Sequence, residues 1–212
     1  RKEGPYLQIR DNGCGMDRTT IKDVWCVVAT PFRSLNPFSK KGKRVRRTAG
    51  EKGLGRLSAA RLGSRLEMLT RTADESCWRV FVDWSELSSK DSIDSCFVDI
   101  RSITENIPFN KTGTLIRIFD LKSEWDEDKV SDLRDNLSRL ISPFAGIDDF
   151  RLFLTPPSSA DKSERLEISA PEFLSKPKYA IMGHVDAEGA VHAKYEFSPI
   201  RTGTGKPRTS SL

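Results

Sequence analysis

The sequence has no run approaching the roughly 18 apolar residues that a membrane-spanning helix needs, so no membrane segment is expected. It has no leader of basic then apolar residues either. The chain opens Arg1-Lys2-Glu3-Gly4 and passes at once into a strand-like stretch, which reads as a domain cut out of something longer. Cysteine is sparse. Cys14, Cys26, Cys77 and Cys96 show neither metal-ligand nor paired spacing, the pattern of reduced thiols in a cytoplasmic protein. The only histidines are His184 and His192, on opposite arms of an expected hairpin. With no cysteine or further acid at ligand spacing, no metal site is expected there. A phosphate loop of the Walker kind is lacking too, because Gly203-Thr204-Gly205-Lys206 runs into Pro207, which offers no hydroxyl for magnesium and starts no helix. What remains is ordinary for a globular protein: 212 residues, 37% hydrophobic and 31% charged, enough for one large domain or one domain and part of another.

Much of the net charge of +5 comes from one place, since Lys40, Lys41, Lys43, Arg44, Arg46 and Arg47 crowd into residues 40–47. Such a block repels itself and does not belong in a core, so it reads as a mobile loop that meets something anionic. It has two readings. It closes over a triphosphate or touches DNA, RNA or an acidic partner, or it is a solvated loop whose charges contribute little. No aromatic residue interleaves the run itself, Phe32 and Phe38 lying just before it, so specific single-strand recognition is not indicated.

Residues 5–10 alternate apolar and polar side chains and predict a short strand, followed by a turn at Asp11–Gly15. Ile21, Val24, Trp25 and Val28 recur at helical spacing, predicting a helix over Thr19–Ala29 that stops before Pro31. Residues 31–49 show no period and read as a long loop. A second helix opens from Gly50–Gly55 and is closed by Gly63 in the C′ position, where φ > 0 is cheap for glycine. Strands are expected over Arg65–Thr72, over Trp78–Trp84 with Trp78, Val80, Val82 and Trp84 on one face, and over Phe97–Ile100 and Thr114–Leu121. Asp126–Ile141 is a helix with Val130, Leu133, Leu137, Leu140 and Ile141 on one stripe and acids in its first turn. Beyond Pro143, Phe150–Leu154 is strand-like, residues 156–164 read as loop, and Tyr179–Phe197 as a hairpin around Asp186-Ala187-Glu188-Gly189. The tail from Thr202 to Leu212 is expected to be disordered.

Three local patterns carry chemistry. Asp11-Asn12-Gly13-Cys14-Gly15-Met16 lies between a strand and a helix. A carboxylate there can accept from the exocyclic amine of adenine, and glycines remove the Cβ atoms that would block a flat base. The plain alternative is an Asp-Asn-Gly turn. Gly50-Glu51-Lys52-Gly53-Leu54-Gly55-Arg56 directly precedes a helix, so its backbone N–H groups and the positive dipole end can cradle phosphate. Read alone, it is equally a Gly-rich turn. Gly113-Thr114-Leu115 opens a strong strand, where the Thr114 hydroxyl supports the adenine-binding carboxylate or is simply part of a good strand former.

Taken together, the order strand, DNGCGM, helix, long lid, GEKGLG, helix, strands and then GT at a strand start resembles the ATPase superfamily of gyrase B, heat-shock chaperones, histidine kinases and MutL. The resemblance covers roughly residues 5–155. The details Gly50-Glu51-Lys52-Gly53-Leu54-Gly55-Arg56, Arg61-Leu62-Gly63 and Asp83-Trp84 look closest to its heat-shock-chaperone-like and MORC-like branches. The resemblance implies an α/β two-layer sandwich, a mixed and mainly antiparallel sheet with helices on one face (the Bergerat fold). It places the ATP-binding domain over residues 1–144, the start of a β-rich, transducer-like domain over 145–201, and the tail over 202–212. It implies ATP and Mg2+ as ligands. Asp11 matches the adenine contact, Gly13, Gly15 and Met16 the adenine pocket, Gly50, Lys52, Gly53, Leu54 and Gly55 the phosphate box at the end of the lid, and Thr114 the threonine assisting Asp11. It also implies ATP hydrolysis in the full-length parent, with lid closure linked to homodimerisation. The glutamate that activates water and the asparagine that binds magnesium belong to a helix ahead of the first strand. The strand here starts about five residues into the chain, and Glu51 carries no assignment as a substitute base. The alternative is a non-enzymatic nucleic-acid-binding or protein-interaction module that uses the basic loop.

Overall fold

The computed structural model describes residues 4–27, 32–41, 44–47, 55–73, 76–88, 98–141, 150–157, 165–171, 178–197 and 208–211. The chain divides into two compact units, Arg1–Glu124 and Trp125–Leu212.

The first unit is built on β1 (Tyr6–Asp11), β4 (Gly63–Arg71), β5 (Cys77–Asp83), β6 (Asp99–Ile103) and β7 (Gly113–Leu121), in the order β1-β7-β4-β5-β6. All four pairings are antiparallel, and the register sets Leu7 opposite Ile118, Leu66 opposite both Ile118 and Val82, and Met68 opposite Ile116 and Val80. Because strand side chains alternate, one face collects Leu66, Met68, Val80, Val82 and Ile118. Two helical pieces lie against that face. One is α1 (Arg18–Thr20), which runs into a π-helical turn at Ile21–Trp25; the other is α3 (Gly55–Leu62). Ile21 is fully buried and Ala59 nearly so in the same cluster, with Met16, Trp25, Cys26, Trp78 and Trp84 at its margin. Each large side chain buried this fully contributes about 1.5–3 kcal/mol. The result is the expected sandwich of one sheet layer and one helix layer.

The other face of the sheet is polar. Glu67 accepts from Arg79 Nε (2.6 Å) and Arg117 Nη1 (3.3 Å), and Asp120 accepts from Arg65 and Ser64. It also carries apolar patches: Tyr6 packs on Phe119, and Leu69, Cys77, Phe109 and Leu115 cluster where β4 ends and β7 begins.

Several sequence expectations change. The first helix is shorter than Thr19–Ala29 in its described part and is mostly π-wound: Cys26 N–H reaches Ile21 O at 2.8 Å, five residues back. That winding lets Ile21, Trp25 and Cys26 share the core, whereas Val28 lies outside the described residues. The basic segment, read as loop, contains α2 (Phe32–Leu35) and an antiparallel hairpin of β2 (Phe38–Lys41) and β3 (Arg44–Arg47). Cations fall at positions on both sides of that ribbon, so there is no hydrophobic period to read. Gly63 does not serve as a positive-φ helix terminator. A Cβ there would sit 2.3 Å from Phe119 O, so glycine is needed for the close approach of β4 to β7. Trp84 opens α4 (Trp84–Ser88) rather than ending β5, because the Asp83 carboxylate accepts from Ser85 N–H at 2.9 Å and turns the chain.

The second unit holds α5 (Glu127–Ser138), the β8–β9 pair (Leu152–Leu154 with Leu166–Ile168), and a sheet of β10 (Tyr179–Val185), β11 (Val191–Phe197) and β12 (Arg208–Ser211). Asp126 caps α5 by accepting from Lys129 N–H at 2.9 Å. Leu140, assigned to the helix stripe, lies past its end and is exposed. The expected hairpin forms, with Asp186 accepting from the Glu188 and Ala190 amides across its turn. β9 and β12 were not expected from the sequence. Among the described residues no helix is long and apolar enough to cross a membrane, which says nothing of strands forming a barrel.

Asp17 Oδ1 accepts from Thr20 N–H at 2.6 Å, and this bond, followed by the Thr20 hydroxyl, holds its pKa below the ordinary carboxylate value. A depressed native pKa stabilises the fold above the unfolded value and ceases to do so as pH falls through the native one. Asp17→Ala is therefore expected to lower unfolding stability by about 1 kcal/mol near neutral pH. In urea titrations the difference from the unaltered chain should close progressively below about pH 4.

Candidate functional site

Asp11 ends β1 and lies opposite Thr114 at the start of β7. Its Oδ1 accepts two backbone N–H groups, from Gly13 at 2.8 Å and Thr114 at 3.1 Å. Among the described residues no hydrogen bond reaches Oδ2, and the residue is exposed. One carboxylate oxygen is thus fixed by the protein while the other stays open as an acceptor.

The turn that follows is held from three sides. Thr112 Oγ1 donates to Gly13 O at 2.6 Å. Met16 N–H donates to Thr70 Oγ1 at 2.9 Å. Gly15 has φ of +74°, and a Cβ there would lie 2.0 Å from Arg71 O. No side chain fits that position, so glycine alone lets the turn press onto the end of β4. Gly113 also comes close on the other side, since a Cβ would sit 2.5 Å from Asp11 O.

Thr70 was not singled out from the sequence, yet it joins the parts. It is a fully buried polar residue in β4. Its hydroxyl lies 3.3 Å from Gly113 O and 3.2 Å from Thr114 Oγ1, besides the bond from Met16. A hydroxyl has one hydrogen and two lone pairs. One assignment uses all three: Thr70 donates to Gly113 O and accepts from Met16 N–H and the Thr114 hydroxyl. The available signal was a hydroxyl directly after Met68-Leu69 in a strand, where strand propensity alone explains a threonine.

The structure therefore brings Asp11, Gly13, Gly15, Met16 and Thr114 into one hydrogen-bonded cluster with Thr70 and Thr112. Cys14, which is exposed, sits in the same turn. Gly55 opens α3, whose Ala59 shares the core cluster that Met16 borders. Gly50, Lys52, Gly53 and Leu54 lie outside the described residues. Two clefts form elsewhere. One of about 260 Å³ lies on the polar sheet face by Arg65, Glu67, Arg79 and Phe119, and one of about 430 Å³ lies in the second unit by Arg134, Arg139, Glu167 and Ile168. Neither includes Asp11. In the second unit the His184 and His192 rings stack with centroids 5.0 Å apart, and His192 Nε2 lies 2.8 Å from Asp186 Oδ2, an acid that sequence spacing did not bring to the pair. Among the described residues no group of three or more His, Cys, Asp or Glu side chains could hold a metal ion.

Removing the Thr70 hydroxyl without changing its shape should expose how much the cluster depends on it. Thr70→Val leaves Met16 N–H buried without its partner, a cost of roughly 1–3 kcal/mol in urea unfolding. Thr70→Ser keeps the hydroxyl and should recover most of that loss.

Residues 1–114 match the family of Histidine kinase-, DNA gyrase B-, and HSP90-like ATPases. No curated protein matches the chain. The matched segment runs from β1 through the Asp11 turn, α1, α3 and β4 to β6, and ends at Thr114. It spans more than half of the 212 residues and contains every member of the Asp11 cluster. The sheet order, the helices on one face and this match agree, and the chain belongs to the histidine kinase-, DNA gyrase B- and HSP90-like ATPase family.

Proposed function

We propose that this chain binds ATP with the adenine amine on Asp11 and the phosphates at the glycine box of residues 50–55. The observation that carries the reading is the divided role of the Asp11 carboxylate: Oδ1 is occupied by two amides and Oδ2 is open. A carboxylate serving only to cap a turn needs one oxygen. Here the same oxygen does that work twice, leaving a charged acceptor in a fixed orientation at the edge of the sheet. Family membership supports ATP binding in general.

In this reading Gly13, Gly15 and Met16 form the floor of the base site, and Thr114 holds Asp11 through its backbone N–H while its hydroxyl joins Thr70. Gly50, Lys52, Gly53, Leu54 and Gly55 bring backbone amides and one cation to the triphosphate at the start of α3. Closure of the intervening lid over ATP would then change the homodimerisation of the parent protein, a conformational switch driven by ligand. Hydrolysis and magnesium binding would draw on the glutamate- and asparagine-bearing helix that the family places ahead of β1. Within the family, the heat-shock-chaperone-like and MORC-like branches fit the Gly50–Arg56 box best.

The test is a titration of a fluorescent adenine nucleotide against the unaltered chain and Asp11→Asn. A charge-assisted hydrogen bond of roughly 1.5–3 kcal/mol corresponds to a loss of about 10- to 150-fold in affinity. Saturable binding that Asp11→Asn leaves unchanged would exclude the proposed contact.

A further inference from the structure

We propose that the β2–β3 hairpin is a binding ribbon for the phosphate backbone of duplex DNA, with Lys41, Arg44 and Arg46 on its contacting face. The charge distribution comes first. Residues 24–50 contain seven of the 35 basic residues and none of the 30 acids. The rest of the chain, with 28 bases against 30 acids, has a formal net charge of −2. The basic character of the protein is therefore a property of this one segment.

Backbone register then sorts the cations. Ser39 pairs with Arg46 and Lys41 with Arg44, while Phe38 pairs with Arg47 and Lys40 with Val45. Since strand positions alternate between faces, one face carries Ser39, Lys41, Arg44 and Arg46, and the other carries two cations with Phe38 and Val45. Phe38 and Val45 are 63% and 60% exposed, so this hairpin is not folded around a core of its own. Like charges directly opposite one another, as at Lys41 and Arg44, weaken a strand pair, and an isolated two-stranded hairpin is marginal in water. A dense anionic surface against that face would remove the repulsion.

The chemistry of the surface follows from spacing and from what the face lacks. Positions two apart on a strand, such as Arg44 and Arg46, are separated by about 6.6 Å, far enough apart for each to meet its own phosphate on a densely charged backbone. A two-stranded ribbon also fits a major groove roughly 12 Å wide. The contacting face carries no aromatic position on which to stack unpaired bases, which favours duplex over single strand. It carries no large apolar anchor either, which favours a phosphate backbone over an acidic protein segment. The proposal does not depend on the nucleotide-binding reading.

Fluorescence anisotropy of a short labelled duplex with the 212-residue chain tests it. Affinity should fall about 40- to 2,000-fold between 50 and 200 mM salt, the range for three to six neutralised phosphates. R44Q/R46Q and K40Q/R47Q each remove two charges from the same hairpin. The first pair should lose roughly tenfold or more, the scale of a lost charge-assisted contact, and the second clearly less. Asp11→Asn should leave duplex affinity unchanged, which separates failure here from failure of the ATP reading. Absence of saturable duplex binding at the lower salt would overturn the proposal. So would equal losses in the two double variants, tighter binding of the matching single strand, or tighter binding of polyglutamate.

Discussion

A hydroxyl buried in an antiparallel sheet has to find partners for one hydrogen and two lone pairs, and Thr70 finds them in pieces of chain far apart in sequence. It accepts from Met16 after the glycine turn and meets Gly113 and Thr114 at the start of β7. Water cannot substitute at a fully buried position, so the three pieces must arrive together or the hydroxyl is stranded. The geometry of the turn follows from this fixed point. With Met16 tied to β4, the preceding backbone has to pass against Arg71 O, which only a glycine at positive φ allows. With Gly113 close to Asp11 O, β7 starts where its Thr114 amide meets the Asp11 carboxylate.

The two faces of the sheet serve different ends. The inner face buries Leu66, Met68, Val80, Val82 and Ile118 beneath the π turn and α3, and supplies the rigidity on which the turn rests. The outer face stays wet, its arginines paired with Glu67, Asp99 and Asp120. Asp11 sits where β1 ends, at the margin of the packed layer, and its backbone-bound oxygen is oriented before any ligand arrives. Orientation settled in advance lowers the entropy cost of recognition. In the proposed reading, a base site built on rigid strands and a phosphate site at the end of a lid would suit a nucleotide that is taken up and released.

The strands were largely legible because each had a period to read. β1, β4, β5 and β7 alternate over an apolar inner face, and all appear within a residue or two of their expected bounds. The site was legible in part, through residues whose type is unusual for its place: an aspartate followed by two glycines, and a glycine before a threonine. Thr70 and Thr112 were not, because a threonine in or near a strand looks the same whether its hydroxyl faces solvent or secures a turn. The π winding of Ile21–Trp25 was hidden for a similar reason, since apolar residues spaced by three and four fit an α-helix equally well. The β2–β3 hairpin escaped because charge occupies both of its faces.

The proposed contact joins an open, oriented carboxylate oxygen of Asp11 to the amine of the base. Inosine triphosphate carries an oxygen acceptor where ATP carries that amine and keeps the same ribose and triphosphate. Competition of the two against a fluorescent adenine nucleotide isolates the contact without altering the protein. The expected result is ATP preferred by at least about tenfold, because inosine triphosphate sets an acceptor against the carboxylate where ATP offers a donor. Equal affinity for the two nucleotides would contradict the account, because the Asp11 carboxylate would then have no part in reading the base.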